Sequence, residues 1–508
     1  MARPNFLIIT TDEQRGDCYG FSRRRVLTPH IDRLAAEGTI FDNCITPNLV
    51  CQPARASILT GLLPLTHGVR DNGIDLPLAA GDAGFAAHLS RAGYRTHLVG
   101  KAHFSTQTLF EGKSDRPECR RNSDRFGSAW NGPYMGFETV EMLCFGHDLI
   151  RMLAPPFGLR YEGWFHGDGN ARQRLDLHSR ESPSKDRATL PFTSHLPVEW
   201  HPSSWIAERA IDYITQAADD RPFCLWASFP DPHYPFAAPA PWASLHPEED
   251  VDLPAHWTLD LDRRPWWHRA FVEGRNDSIL EIQNYRLPLL RSANQERFLR
   301  QMIASYYGMI ALADHAIGRL TEAMAIAGLL ENTIVIVTSD HGDYLGDHGL
   351  LLKGPAAYEG LLRVGLACRG PGIGRGHRVA TPVSTLDIMP TLMAFAGIDH
   401  GPIHGRSLRP LLAGSPEHRD YAYSEWDMAT FDETPDWRLR TVRTERHKLT
   451  MEMGSGAGEL YDLQEDPDEM DNLFGDPGYR APRRRLEDAI AARPRDVIAE
   501  PLPKIGWA

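Results

Sequence analysis

The chain has 508 residues, with 54 Lys and Arg against 67 Asp and Glu and a formal net charge of −13 when histidine is neutral. That balance argues against a nucleic-acid binder, whose affinity rests on a basic face that neutralises phosphates. A hydrophobic share of 42% beside a charged share of 24% is that of a globular chain with a sizeable core, and it argues against disordered and fibrous classes. At about 150 residues per domain, the length allows about two to four domains, or one large α/β domain with an appendage.

In chain order, an apolar run predicts a strand over 5–11, and helical periodicity predicts helices over 28–37, 53–62 and 84–92, followed by a strand over 96–100. Residues 104–202 are rich in Gly, Pro, Trp, Arg and His with little periodicity and read as an insertion. A helix over 204–217 and a strand over 223–229 come next, then a second insertion over 234–290. A long helix near 296–327, strands over 333–339 and 364–368 and a helix over 386–396 complete the alternation. This pattern predicts an α/β fold with a large, mainly parallel sheet sandwiched by helices.

Residues 1–414 are assigned to that catalytic domain. Residues 415–508, with short segments at 421–425, 439–444 and 448–452 and an acidic turn at 465–471, are assigned to a small C-terminal α+β domain. The tail beyond Arg493, with Pro501, Pro503 and Trp507, is expected to pack on a second copy in a homo-oligomer. No run approaches the roughly 18 apolar residues of a membrane helix, and the N-terminal residues show no secretory pattern. The seven cysteines have no C-x-x-C pair, so no disulfide framework or structural zinc is expected. No membrane partner, no nucleic acid and a cytoplasmic location are the expectation. Arg23, Arg24 and Arg25 read as a solvated run, and Trp130, Tyr134, Trp164 and His166 as the first insertion's own small core.

In an open parallel sheet, ligands bind beyond the carboxyl ends of the strands. Asp12 and Glu13 follow the first strand, Lys101 and His103 the strand at 96–100, His233 the strand at 223–229, and Asp340 and His341 the strand at 333–339. A lone Asp after a strand is usually a helix cap, and a lone His a satisfied polar contact. Four such ends on one rim combine carboxylates suited to Ca²⁺, Mg²⁺ or Mn²⁺ with cations suited to phosphoryl or sulfuryl oxygens. The rim thus reads as a metal-assisted esterase site. Cys51 stands at the start of a helix with Arg55 one turn on; a helix N-terminus favours a thiolate, although a soft thiolate matches a hard cation poorly.

The string CQPAR at 51–55 contains C-x-P-x-R, and it occurs in order with TTDEQ at 10–14, Gly61, GKAH at 100–103, PDPH at 230–233, SDHG at 339–342, Lys353 and ELYDL at 459–463. On these motifs the chain resembles the type I, formylglycine-dependent sulfatases of the alkaline-phosphatase-like superfamily over nearly its full length. The resemblance implies that Cys51 is oxidised to formylglycine by a maturation enzyme. It also implies that Asp12, Asp340, His341 and position 51 ligate one divalent cation, Ca²⁺ first, with Mn²⁺ or Mg²⁺ as alternatives. Glu13 occupies the slot of a second Asp in many relatives, and His341 that of an Asn.

Arg55 and Lys101 would hold the nucleophile and the transferred group, and His103 would help break the covalent intermediate. His233 and Lys353 would bind sulfuryl oxygens and protonate the leaving oxygen. The implied reaction is double displacement on a small-molecule sulfate ester. The alternative is a phosphonate monoester or phosphodiester hydrolase using the same nucleophile. GVRDNG at 68–73 and His341 fit that branch, but it tends to place hydroxyl residues where this chain has Lys101 and His103. A binding protein with an unmodified Cys51 is the rival from another class.

Overall fold

A computed structural model describes residues 3–112, 114–119, 125–144, 158–180, 192–215, 220–273, 294–415, 419–428 and 437–507. Its main sheet contains β1 (Asn5–Thr11), β2 (Thr39–Ile45), β3 (Arg95–Lys101), β4 (Thr139–Leu143), β5 (Phe223–Ser228), β6 (Thr333–Ser339), β7 (Arg363–Arg369) and β8 (His377–Val379). They run in the order β8-β2-β7-β6-β1-β5-β3-β4, and the short pair Val383–Ser384 adds to β2. β7 alone among these runs antiparallel to its neighbours. The mainly parallel sheet expected from the alternation is therefore present.

β1 and β6 are buried at every residue, as strands covered on both faces must be. Phe6, Ile8, Leu98, Trp226 and Ile336 face one core, which includes Ile58 and Leu59 of the helix Cys51–Thr60. Leu7, Ile9, Val99, Leu225 and Val337 face the other, with Trp205 and Ile206 of the helix Pro202–Thr215 and Ile317 and Leu320 of the helix Gln295–Ile326. The period-two alternation of the strands thus divides two helical layers. Of the helix expected over 204–217, residues 216–217 lie outside the described residues, as do parts of both insertions.

Three strands were not legible as such: β2, β4 and the short β8 at the sheet edge. β2 (TIFDNCI) is interrupted by Asp42 and Asn43, whose side chains reach Arg378 and the Ala380 carbonyl. β4 lies inside the first insertion and extends the sheet beyond β3. Beyond the sheet, Ala422–Met428, Trp437–Arg443, His447–Glu452 and Gly458–Asp462 form an antiparallel meander, and the helix Arg480–Ala491 packs on it through Leu486 and Ile490. The arginine run also differs from expectation. Arg23 and Arg25 are exposed, but Arg24 is buried against Asp17 at 2.9 Å.

The C-terminal tail packs on its own chain. Ile498 N–H donates to Leu65 O (3.1 Å), Ile505 N–H to Gly73 O (2.8 Å), and Phe110 N–H to Ile505 O (3.1 Å). Gly506–Trp507 pairs with Thr108–Leu109, and Lys504 Nζ bridges to Asp71 at 3.0 Å. Deleting residues 498–508 is expected to cost about 2–5 kcal/mol, from about 1 kcal/mol per net hydrogen bond plus lost apolar cover. The denaturation midpoint measures this, and an unchanged midpoint would show the tail to be dispensable.

Candidate active site

The carboxyl ends of β1, β2, β3, β5 and β6 share one rim because these strands run in the same direction. β2 leads into a short loop, after which Val50 is extended and Cys51 opens the helix Cys51–Thr60. Gly61 ends that helix at φ 68°, the left-handed backbone that glycine adopts without strain. The strand that the sequence concealed thus carries the signature cysteine to the rim.

Cys51 Sγ lies 3.0 Å from His341 Nε2, 3.2 Å from Lys353 Nζ and 3.6 Å from Asp12 Oδ1. Arg55, one turn along, is fully buried. Its Nε donates to Asp340 Oδ2 (2.8 Å), and its Nη1 donates to Lys101 O (2.9 Å) and Ser228 Oγ (2.7 Å). Its Nη2 stands 3.7 Å from Asp12 Oδ2. Lys101 Nζ also bonds Asp12 Oδ2. Lys353 Nζ lies 3.2 Å from Glu13 Oε2 and 3.0 Å from His233 Nε2. Every residue singled out from the sequence is therefore part of one cluster or, for His103, of the turn that follows β3 beside it.

Burial sets the charge states. Burial would raise the Asp12 carboxyl, but Lys101, with Arg55 and Lys353, holds it well below the usual carboxylate range. Glu13 is pushed up to about 7 by burial against the pull of Lys353. The Cys51 thiol is pushed up to about 12 by burial, with Asp12 reinforcing it. Burial thus works against the activated thiolate considered for Cys51. Lys353 overcomes its own burial through Cys51, Glu13 and Asp12 and stays cationic. Burial, aided by Lys101 and Lys353 respectively, keeps His103 and His233 neutral.

Ligand atoms of Asp12, Cys51, Asp340 and His341 all lie within 4.8 Å of one another, and all four residues are buried. Two carboxylates and an imidazole suit a divalent cation, and an oxygen at position 51 would suit it better than sulfur. Glu13 is outside that group of four, yet its Oε1 is buried without a hydrogen-bond partner among the described residues, a free oxygen of the kind a cation takes.

Other supports carried no motif. Tyr306 of the long helix donates its hydroxyl to Glu13 O (2.6 Å) and accepts from Arg15 N–H (3.0 Å), fixing the turn after β1. Asp343 Oδ1 accepts from Leu345 N–H (2.6 Å) and Leu352 N–H (3.0 Å), which shapes the loop presenting Lys353. Asn72 Oδ1 accepts Gln52 N–H at 3.0 Å beside Cys51. Asp347 pairs with Arg15 at 2.7 Å, which ties this loop to the turn after β1.

The family model described as Sulfatase matches residues 4–148 and 160–398, and one described as N-sulphoglucosamine sulphohydrolase, C-terminal, matches residues 346–495. The arylsulfatase of Clostridium perfringens is 28% identical over 507 residues, covering 94% of this chain and 92% of the relative. The choline-sulfatase of Rhizobium meliloti is 28% identical over 488 residues, covering 94% and 83%. The solved phosphonate monoester hydrolase of Agrobacterium radiobacter superposes with a TM-score of 0.75 at 26% identity, covering 96% of this chain and 95% of that one.

The donor set generates a direct test. After chelation, adding Ca²⁺, Mg²⁺ or Mn²⁺ is expected to raise the thermal midpoint, by the equivalent of about 2.7 kcal/mol at 100 times the dissociation constant. Asp340→Asn should abolish most of that shift. No response to any of the three ions would overturn the metal assignment.

Proposed function

The chain belongs to the sulfatase family, hydrolases of sulfate esters, and from that premise we propose that it cleaves a small-molecule sulfate monoester to an alcohol and inorganic sulfate with formylglycine at position 51. The observation that carries this reading is the pairing of a thiol pushed up to about 12 with a ring of three cations, Arg55, Lys101 and Lys353. The cations beside position 51 suit an anion there, and burial disfavours a free thiolate, which supports an oxygen nucleophile. Asp12, Asp340, His341 and position 51 would hold the cation, with the free Glu13 Oε1 available as a further donor. We assign Ca²⁺, with Mn²⁺ favoured if the His341 nitrogen dominates the choice.

When bound, the cation supplies positive charge that favours an ionised oxygen at position 51, and formylglycine supplies the paired hydroxyls of its hydrate. The remaining work falls to the chain's own residues. Lys101 and Lys353 flank position 51 and bind the sulfuryl oxygens. Arg55, committed to Asp340, Ser228 and the Lys101 carbonyl, orients the nucleophile position without reaching outward. Hydrolysis breaks the bond between sulfur and the alcohol oxygen, and the departing oxygen takes a proton. Lys353 is cationic and 3.0 Å from His233 Nε2, so the pair supplies that proton, with His233 at the solvent side. His103, neutral and beside Lys101, accepts the proton released when sulfate leaves.

Lys101 and His103 favour sulfate over phosphonate; the structural likeness to a phosphonate monoester hydrolase keeps the second reading as an outcome of the test. With formylglycine at position 51 quantified by mass spectrometry, kcat/KM is expected to favour an aryl sulfate over an aryl phosphonate monoester. The reverse ratio would overturn the proposal while keeping nucleophile and fold. Absence of formylglycine from protein made with a competent maturation enzyme would support a binding protein instead. His233→Ala should lower kcat/KM by about 10²–10⁴-fold for an alkyl sulfate. It should lower it far less for a nitrophenyl sulfate, whose phenolate leaves unprotonated. Equal losses for both esters would remove His233 from proton transfer.

A further inference from the structure

His103 sits in an unusual backbone. It is a non-glycine residue at φ 58°, in the left-handed region, which an L side chain adopts only where the surroundings enforce it. Both of its ring nitrogens are buried and lack a hydrogen-bond partner among the described residues, so the ring itself has no anchor. What enforces the turn is a carboxylate from the first insertion. Glu118, 2% exposed, accepts the His103 N–H on Oε2. On Oε1 it accepts Phe104 N–H (3.0 Å), Ser105 Oγ–H (3.3 Å) and Tyr134 O–H (2.7 Å). Two successive N–H groups around a left-handed residue form a concave anion site, and here the chain's own Glu118 fills it.

We propose that Glu118 is a positioning residue for His103: by ligating the His103 and Phe104 amides it holds the imidazole over the reaction site, and Tyr134 braces the carboxylate. This assigns a role to an insertion the sequence left unexplained, and it rests on the reading of His103 as a proton acceptor in sulfate release. It also accounts for Tyr134, which is buried in the main core and bonded to Glu118 rather than filling a separate core of the insertion.

A carboxylate only accepts, so all four donors are satisfied at once. Glutamine keeps the size and the Oε1 contacts, but it sets an NH₂ group against the His103 N–H. Glu118→Gln is therefore the probe. It is expected to lower kcat by about 10²-fold, the cost of an ångström-scale misplacement, with KM unchanged and the thermal midpoint little moved. In a His103→Ala background the same substitution should have almost no further effect on kcat, because residues acting through one another are not additive. Tyr134→Phe, the milder variant should Glu118→Gln fold poorly, should show a smaller loss that also vanishes in the His103→Ala background.

A readout independent of turnover is the His103 imidazole in protein left as unmodified Cys51. By NMR its titration is expected to rise toward the free value of about 6.5 in Glu118→Gln, as the ring leaves its buried position. Losses of equal size in both backgrounds, or no loss, would overturn the proposal alone. If His103→Ala itself leaves kcat unchanged, the assignment of His103 fails and this proposal fails with it.

Discussion

Three acidic and three basic side chains share the carboxyl edge of one sheet with almost no access to water. Asp12, Glu13, Asp340 and Arg55 have no exposed surface, and Lys101 and Lys353 keep 8% and 5%. Each ion taken out of water costs several kcal/mol even after relaxation, and removing one partner of a buried pair costs about 3–5 kcal/mol. None of the six is tenable alone, so the rest of the site follows from how they compensate one another. Without a metal the cations at least match the carboxylates, since burial pushes Glu13 up to about 7. A divalent cation at Asp12, Asp340 and His341 would leave the cluster net positive and ready for a singly charged ester, although the whole chain carries −13. The local field, not the net charge, decides what binds.

The sheet is what makes such a cluster affordable. Parallel strands bring five carboxyl ends to one rim, and Arg55 ties three of them together through Asp340 after β6, Ser228 of β5 and the Lys101 carbonyl of β3. The planar fork of arginine matches that spread of acceptors, whereas a lysine ammonium would not. Antiparallel β7 sits between β2 and β6 without disturbing this, because its neighbours on both sides still point the same way.

How much was legible follows from the same physics. β1 and β6 are buried on both faces and read as unbroken apolar runs, so their ends, and the acids beyond them, were found from the sequence. β2 carries Asp42 and Asn43 in mid-strand and was missed, although the cysteine it leads to was found through its motif. Gly458–Asp462 and the helix Arg480–Ala491 were hidden by the charge around them. Tyr306 falls within a helix where an inward tyrosine is indistinguishable from core packing, and Glu118 stands in a segment without periodicity, so neither announced its partner. Arg24 is the opposite error: a run of three like charges read as solvated, while its middle member is buried on Asp17.

The geometry also separates chemistry from recognition. Among the residues around position 51, His233 is the one with a substantially open side chain, 21% exposed, and its ring stacks on Tyr234 at 4.5 Å. If the protein cleaves sulfate esters as proposed, the alcohol portion would leave past His233 and Tyr234, with its charged group facing Lys101 and Lys353. Those inner cations meet a group that every sulfate ester carries, so they cannot distinguish one alcohol from another. Under the proposed function, discrimination would come from chain outside the buried cluster, where loops vary without disturbing the buried ions. A site arranged this way keeps one charge-compensated core and exchanges substrates by changing what lies outside it.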